Sequence, residues 1–391
     1  MRSHLLNSEF INSDKFNLPP EKMIHLPYPE DEWYREFDPI AHDRVLHLTR
    51  GIHVINEWWR LQDVEIFYHI AANEFYLVKA LPQLEIAVRK IHQILAPQQK
   101  LDDHYLVFGN GATQVINAAL YASTLYHSLQ KNPAVNDQVK CSTLWVTEQM
   151  PGYLEDNSLI QVMHKNLLAW IPFEDRDLIP HQDLLEFITT PNNPDGAIRK
   201  KLSSAAYTIH DRVNHWSFFL NKDDRAIKED TLEYDQISIF SLSKFLSFSG
   251  SRVGYAFVKD PQIAHFMKYF MVMSTHGVVA DSQYRCWMAL LHLLETPGLL
   301  IEYTQWIRTC LKKRWKRLHN ALNKTPLILL NTQGPTAWLK APAPAAEYLL
   351  ERYKIEATYG DEYGATPDHF RLNLLAKTNQ FDELIWRLTH L

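Results

Sequence analysis

Cysteine is nearly missing from this chain: Cys141, Cys286 and Cys310 are the 3 cysteines in 391 residues, at unrelated spacings. That scarcity excludes a disulfide framework and a cysteine-based zinc site, and it suits a reducing compartment. The 19 histidines fall in no HExxH pattern or tight ligand cluster, so no metal is expected. A formal net charge of −5 gives no electrostatic reason for a nucleic-acid partner. No run approaches the roughly 18 apolar residues that cross a bilayer. Met1 to Pro20 is polar and lacks the apolar segment of a signal peptide. Internal repeats and low-complexity tracts are also missing. These absences predict a soluble cytoplasmic protein with neither a nucleic-acid nor a membrane partner.

What is present reads as ordinary globular material, 46% hydrophobic and 22% charged. The length allows a large domain plus a smaller one. Residues 1–50 read as an extended arm, because Pro19, Pro20, Pro27 and Pro29 discourage helix. From Pro82 to Leu95 the spacing places Leu84, Val88, Ile91 and Leu95 on one helical face. Leu106 to Gly109 reads as a short buried strand, followed by a glycine turn and a helical run. The segments around Trp145, up to Asp211, and from Ile237 to Lys244 read as further strands. Strands alternating with helices imply an α/β layer around a mostly parallel sheet. After about Met273 the chain turns helical through Asn320, and Leu327 to Leu391 reads as a mixed small domain. The expected division is therefore 1–60 for the arm and a small-domain segment, 61–272 for the large domain, and 273–391 for the small domain.

In open α/β sheets, ligands sit at the carboxyl ends of the strands, so the residues ending these strands carry the information. Gly109-Asn110-Gly111-Ala112-Thr113 is a strand, a glycine turn and a helix start, which suits a phosphate. A tight turn with no ligand fits it equally well, and the third glycine of GxGxxG is missing. Thr190-Pro191-Asn192-Asn193-Pro194-Asp195-Gly196 reads as a proline-rich turn. Asp211 closes an apolar strand, as a cap or as a fixed anion for a cationic ring nitrogen. Lys244 also closes an apolar strand, a costly position unless its charge is neutralised or used. Desolvation lowers a lysine pKa and makes its amine a better nucleophile toward an aldehyde. Arg252 follows Ser249, Gly250 and Ser251 and offers a bidentate fork for a phosphate. A phosphate cradle, a ring-facing asparagine, an acid for a pyridinium nitrogen and an aldehyde-capturing lysine are together what pyridoxal 5'-phosphate requires.

On these residues the chain resembles fold-type-I pyridoxal-phosphate enzymes, and more closely the branch of alliinase and the plant tryptophan–pyruvate aminotransferases. The likeness lies in SLSKFLSFSGSRVGYAFVKD (Ser241 to Asp260), PNNPDG (Pro191 to Gly196), FGNGATQ (Phe108 to Gln114) and GVVADSQYRC from Gly277. It covers roughly residues 50–391. It implies an α/β aminotransferase fold of type I, a large domain with a mostly parallel sheet between helices plus a smaller α+β domain. By position it implies Lys244 as the Schiff-base lysine, and Gly111, Ala112, Thr113, Ser241 and Arg252 around the phosphate. It implies Tyr153 stacked on the ring, Asn193 on the phenolic oxygen, and Asp211 on the ring nitrogen. Arg371 in HFRLNLL would grip the substrate carboxylate, and Tyr68 would reach the neighbouring subunit's phosphate in a homodimer. Trp338 is expected to pack. The chain departs from the branch at Asn214, where the branch carries a tyrosine toward the phenolic oxygen. It departs again near Gly51, where a His-Gly-Asp-Pro substrate segment survives only as the glycine before Glu57-Trp58-Trp59-Arg60.

The resemblance implies that an amino acid displaces Lys244, whose freed amine then removes the Cα proton as general base. Returning that proton to the cofactor gives transamination of an L-amino acid with a 2-oxo acid. Loss of a Cβ leaving group instead gives carbon–sulfur lysis. The expected activity is an aminotransferase, with Trp58 and Trp59 hinting at an aromatic or bulky substrate and the alliinase-like lyase as the alternative. A non-catalytic regulator is the third reading. It is disfavoured by the retained Lys244, Asp211 and Arg252 and by the lack of a basic recognition helix.

Overall fold

A computed structural model describes residues 42, 44–48, 54–62, 80–97, 101–132, 140–152, 167–216, 236–332 and 334–391. Gly51, Tyr68 and Tyr153 lie outside the described residues, as do residues 1–41 of the expected arm. The chain opens with strand β1 (Leu46–His47), helix α1 (Val54–Leu61) and helix α2 (Pro82–Leu95). Leu84, Val88 and Ile91 of α2 are buried, as their spacing predicts, and Pro82 starts the helix where its missing N–H costs nothing.

Then come β2 (Tyr105–Asn110), α3 (Ala112–Lys131), β3 (Leu144–Glu148), β4 (Leu168–Trp170), β5 (Leu184–Thr189), β6 (Tyr207–Asp211) and β7 (Ile237–Ser241). A one-turn helix α4 (Leu242–Phe245) leads into β8 (Val253–Val258). These strands form a seven-stranded sheet in the order β2-β8-β7-β6-β5-β3-β4. Strand β8 runs antiparallel to both of its neighbours, and the remaining pairs are parallel. Strands β5, β6, β7 and β8 are buried at every residue, the pattern of a sheet covered on both faces. The sequence had shown neither β4, β5 nor β8 as a strand.

Helix α5 (Pro261–Thr275) packs with α3 on one face of the sheet, where Val115, Ile116 and Met267 meet Leu185, Ile209 and Ile239. Helix α6 (Ala280–Glu295) shares the core of the other face with α2, through Leu290, Ile91 and Phe240. Helix α7 (Leu299–Leu322) leads to β9 (Ile328–Leu329), β10 (Thr336–Lys340), α8 (Ala345–Tyr353), β11 (Ile355–Glu356), β12 (Thr358–Tyr359), β13 (His369–Asn373) and α9 (Thr378–His390). A four-stranded antiparallel sheet takes the order β12-β13-β10-β9, and β1 pairs in parallel with β11. The fold is α/β, with a mostly parallel sheet between helices. Among the described residues no helix is long and apolar enough to cross a membrane.

One local expectation changes. The strand read as ending at Lys244 ends at Ser241, and Leu242–Phe245 is helical. Leu242 and Phe245 are both fully buried, and a helical i, i+3 spacing sends both into the core while a strand would turn them to opposite faces. Ile239, fully buried in the middle of β7, gives a test of the sheet. Ile239→Ala should cost about 2–5 kcal/mol of stability, read by denaturant unfolding.

Candidate active site

The register of the large sheet aligns Gly109 of β2, Gly254 of β8 and Ser241 of β7 in one row. A Cβ on Gly254 would strike the backbone of Gly111 and Ala112, so this glycine lets β8 pass directly under the start of α3. Gly111 itself sits at φ 83, a conformation that favours glycine. A Cβ there would collide with the Arg252 guanidinium. The start of α3 has no side-chain cap. Its N–H groups, the Ser241 row and the Arg252 fork therefore converge on one cradle with the charge and shape for a phosphate. Ser243 Oγ is buried with no hydrogen-bond partner among the described residues. These features fit the phosphate end of pyridoxal phosphate. Gly111→Val should strain the turn and displace Arg252, raising the dissociation constant for pyridoxal phosphate roughly a hundredfold in a fluorescence titration.

Asp211 ends β6 at 2% exposure and accepts a hydrogen bond of 3.0 Å from Val213 N–H. Burial raises its pKa to about 6, against the lowering effects of that bond and of Lys244. A buried carboxylate so placed gains from a cationic N–H partner, as a protonated ring nitrogen would be. Asn214 lies in the turn just after β6 and is half-buried.

Lys244 projects from α4, half-buried. Burial lowers its pKa to about 8, helped by the Arg371 cation and more weakly by Arg252, while Asp211 raises it. The amine is therefore partly unprotonated near neutrality, which an ordinary lysine is not.

The third cluster comes from the small sheet. Arg371 Nη1 donates to Asn193 Oδ1 at 2.7 Å, and Nη2 donates to Thr358 Oγ1 at 3.0 Å. Its guanidinium carbon lies 5.5 Å from the centre of the Tyr363 ring. Tyr363 in turn bonds Asn193 and Thr358 and has its pKa raised, chiefly by burial. The Asn193 loop is stapled to this sheet: Thr336 Oγ1 donates to Pro194 O at 2.9 Å and Asn331 Nδ2 to Asp195 O at 2.8 Å. Arg199 holds the same region from below, donating to Pro151 O at 2.8 Å and to Gln149 O.

The structure thus brings Lys244, Asp211, Arg252, Gly111, Ala112, Ser241, Asn193 and Arg371 to the carboxyl edge of the sheet. Thr113 lies in the first turn of α3, exposed. Tyr363, Thr358 and Arg199 were not visible in the sequence, because each acts across a long separation that no spacing encodes. Trp338 pairs with Arg371 in register and packs on Tyr363 and His369, with 4% exposure. Trp58 and Trp59, read as a hint of a bulky substrate, are core residues at 1% and 9% exposure.

A mostly parallel sheet carrying a lysine, an aspartate and a phosphate cradle at its carboxyl edge is the fold-type-I aminotransferase architecture. Among solved structures, an aminotransferase from Staphylococcus aureus superposes with a TM-score of 0.66 at 19% identity, covering 92% of this chain and 96% of that one. The chain belongs to the Alliinase_C family, described as allinase, whose sequence model matches residues 46–391. It is 28% identical to tryptophan aminotransferase-related protein 3 of Arabidopsis thaliana over 323 residues, 78% of this chain and 67% of that protein. It is 22% identical to alliin lyase 1 of Allium sativum over 331 residues, 78% of this chain and 65% of that one. Fold and family indicate a pyridoxal-phosphate-dependent enzyme.

Proposed function

We propose that the protein is an aminotransferase that takes an L-amino acid, aromatic ones included, with a 2-oxo acid as acceptor. The observation that carries this reading is Lys244: a half-buried amine, its pKa lowered to about 8, facing Asp211, Arg371 and Arg252. Bound here, pyridoxal phosphate supplies an aldehyde for an amine to capture and a conjugated ring that accepts the electron pair left at the substrate Cα. Arg252, Ser241 and the first turn of α3 (Gly111, Ala112, Thr113) hold the phosphate. Asp211 would keep a proton on the ring nitrogen, and Asn193 and Asn214 would serve the phenolic oxygen. Arg371 grips the substrate α-carboxylate and so aims Cα at Lys244 Nζ. Lys244, uncharged in a fraction of molecules at neutral pH, would take the Cα proton and return it to the cofactor's former aldehyde carbon, across the intervening nitrogen. By the resemblance alone, Tyr153, Tyr68 and Gly51, which lie outside the described residues, would serve the ring, the partner subunit's phosphate and the substrate in a homodimer.

The same proton abstraction followed by loss of a Cβ substituent would make a carbon–sulfur lyase, the activity named for the Allium relative. Transamination is preferred because the relative with the higher identity carries the aminotransferase name. The test is a panel of L-amino acids with 2-oxoglutarate or pyruvate, assaying keto acid and ammonia separately. Keto acid that appears only with an acceptor supports the reading. Pyruvate and ammonia from a cysteine sulfoxide without acceptor would replace it with the lyase. The rate at which Lys244 captures the cofactor aldehyde should rise with pH through about 8 and then level off, as the amine loses its proton. A rate already flat from neutral pH upward would show that the lysine is unprotonated for another reason.

A further inference from the structure

Helix α4, which carries Lys244, is one turn long and is closed by the cap bond from Leu246 N–H to Leu242 O at 2.8 Å. One turn cannot hold its own shape, and its last carbonyls have no helical partners. Two buried aromatic donors supply them. Trp59 Nε1 on α1 donates to Leu246 O at 2.9 Å, and the Tyr303 hydroxyl on α7 donates to Phe245 O. The rings form one cluster: Trp58 stands 4.7 Å from Tyr303, and Phe245 lies edge-on to Tyr303 at 5.6 Å.

Each of these helices has a second anchor, at the far end of the strand that carries Arg371. On α1, Glu57 accepts from Thr378 N–H at 2.7 Å, at the start of α9 just beyond β13. On α7, Arg314 Nη1 donates to Leu374 O at 2.7 Å and Ala376 O at 2.6 Å, the residues that leave β13. Tyr303 and Arg314 are eleven positions apart, about three helical turns, and so share one face of α7. Both helices therefore touch the lysine turn with one side chain and the end of the arginine strand with another.

We propose that α1 and α7 are paired struts that set the spacing between Lys244 and Arg371, with Trp59 and Tyr303 as positioning residues for the lysine. The proposal rests on Lys244 being the reacting amine. A substrate held by its carboxylate at Arg371 reacts only if its Cα falls within reach of Lys244 Nζ, so a loosened turn weakens the proton transfer more than it weakens binding. A loosened turn also lets the amine reach water and move away from the Arg371 cation. Asp211 on β6, Arg371 on β13 and Arg252 before β8 are the charged groups that act on it.

The test compares Tyr303→Phe, Trp59→Phe and a packing control, Trp58→Phe, in the full chain. Trp58 belongs to the same cluster, and among the described residues it donates nothing to the turn. Labelling of Lys244 by acetic anhydride, read by mass spectrometry across pH, needs neither cofactor nor turnover. We expect both donor variants to move the labelling midpoint up by about half a pH unit or more, toward the ordinary lysine value. In the loaded enzyme, kcat should fall about tenfold while KM stays within about twofold. Trp58→Phe should lower the melting temperature and leave the midpoint in place. Equal midpoints in all variants, whatever their melting temperatures, would reduce the cluster to packing and overturn the proposal. Tyr303→Phe keeps its ring in place, so it decides the matter if Trp59→Phe fails to fold. A wild-type protein that labels normally but takes no pyridoxal phosphate would instead sink the functional reading.

Discussion

Lys244→Ala should abolish the visible absorption that pyridoxal phosphate acquires on binding this protein, and it should reduce turnover by roughly a thousandfold or more. The size follows from two losses at one residue. The amine that anchors the cofactor covalently is gone, and so is the general base, a contribution of about 10²–10⁴ by itself. The variant should still fold. Burial holds the Lys244 pKa at about 8, below its ordinary value, so the folded protein binds fewer protons there than the unfolded chain does. Stability from this group is therefore reduced at pH below about 8 and recovers as pH rises toward the ordinary lysine value. Removing the amine lifts that cost at neutral pH, so the melting temperature should hold or rise. Absorption spectra, single-turnover kinetics and a thermal scan check the three parts. Unchanged turnover in a folded Lys244→Ala protein would end the case for this lysine.

Arg371→Lys and Arg371→Ala should both lower kcat/KM, by roughly a hundredfold or more, because a bidentate grip on a carboxylate is lost in each. The two variants should differ in their pH profiles. Arg371 is the largest charged contributor to the lowered Lys244 pKa, and lysine retains a cation where alanine has none. The pH dependence of Lys244 labelling should therefore move upward in Arg371→Ala and much less in Arg371→Lys. Equal profiles would show that the arginine acts on substrate alone. Loss of the bonds to Asn193 and Thr358 is common to both variants and cannot produce that difference.

Much of this site was readable because its residues violate a local rule. A lysine and an aspartate read from sequence as closing largely apolar strands are costly, and cost without local compensation points to chemistry. Lys244 and Asp211 stood out for that reason, and the glycine turn at Gly111 for its backbone. The strands β5 and β8 were not recognised, although all their residues are buried, since short apolar runs carry no period of their own. The ending of β7 was misplaced because Ser241-Leu242-Ser243-Lys244 alternates like a strand, while burial of both Leu242 and Phe245 selects a helical turn. Tyr363 and Thr358 reach Arg371 through a pairing of β12 with β13, and Trp59 reaches the lysine turn across 187 positions. Partners of that kind are set by tertiary structure, where a single sequence holds no periodic trace of them.

The pairing of β1 with β11 joins segments far apart along the chain, Leu46 beside Ile355 and His47 beside Glu356. During synthesis the seven-stranded sheet is complete once Val258 has emerged, whereas β1 and α1 must wait for the last third of the polypeptide. Contacts so distant along the chain are slow to form and leave apolar surface uncovered in the meantime. Trp58 and Trp59 belong to that waiting segment, so two large apolar rings stay uncovered until the last third of the polypeptide has been made. The Gly111 turn and the Arg252 that meets it lie within residues 109–254 and so are synthesised before the strand that carries Arg371.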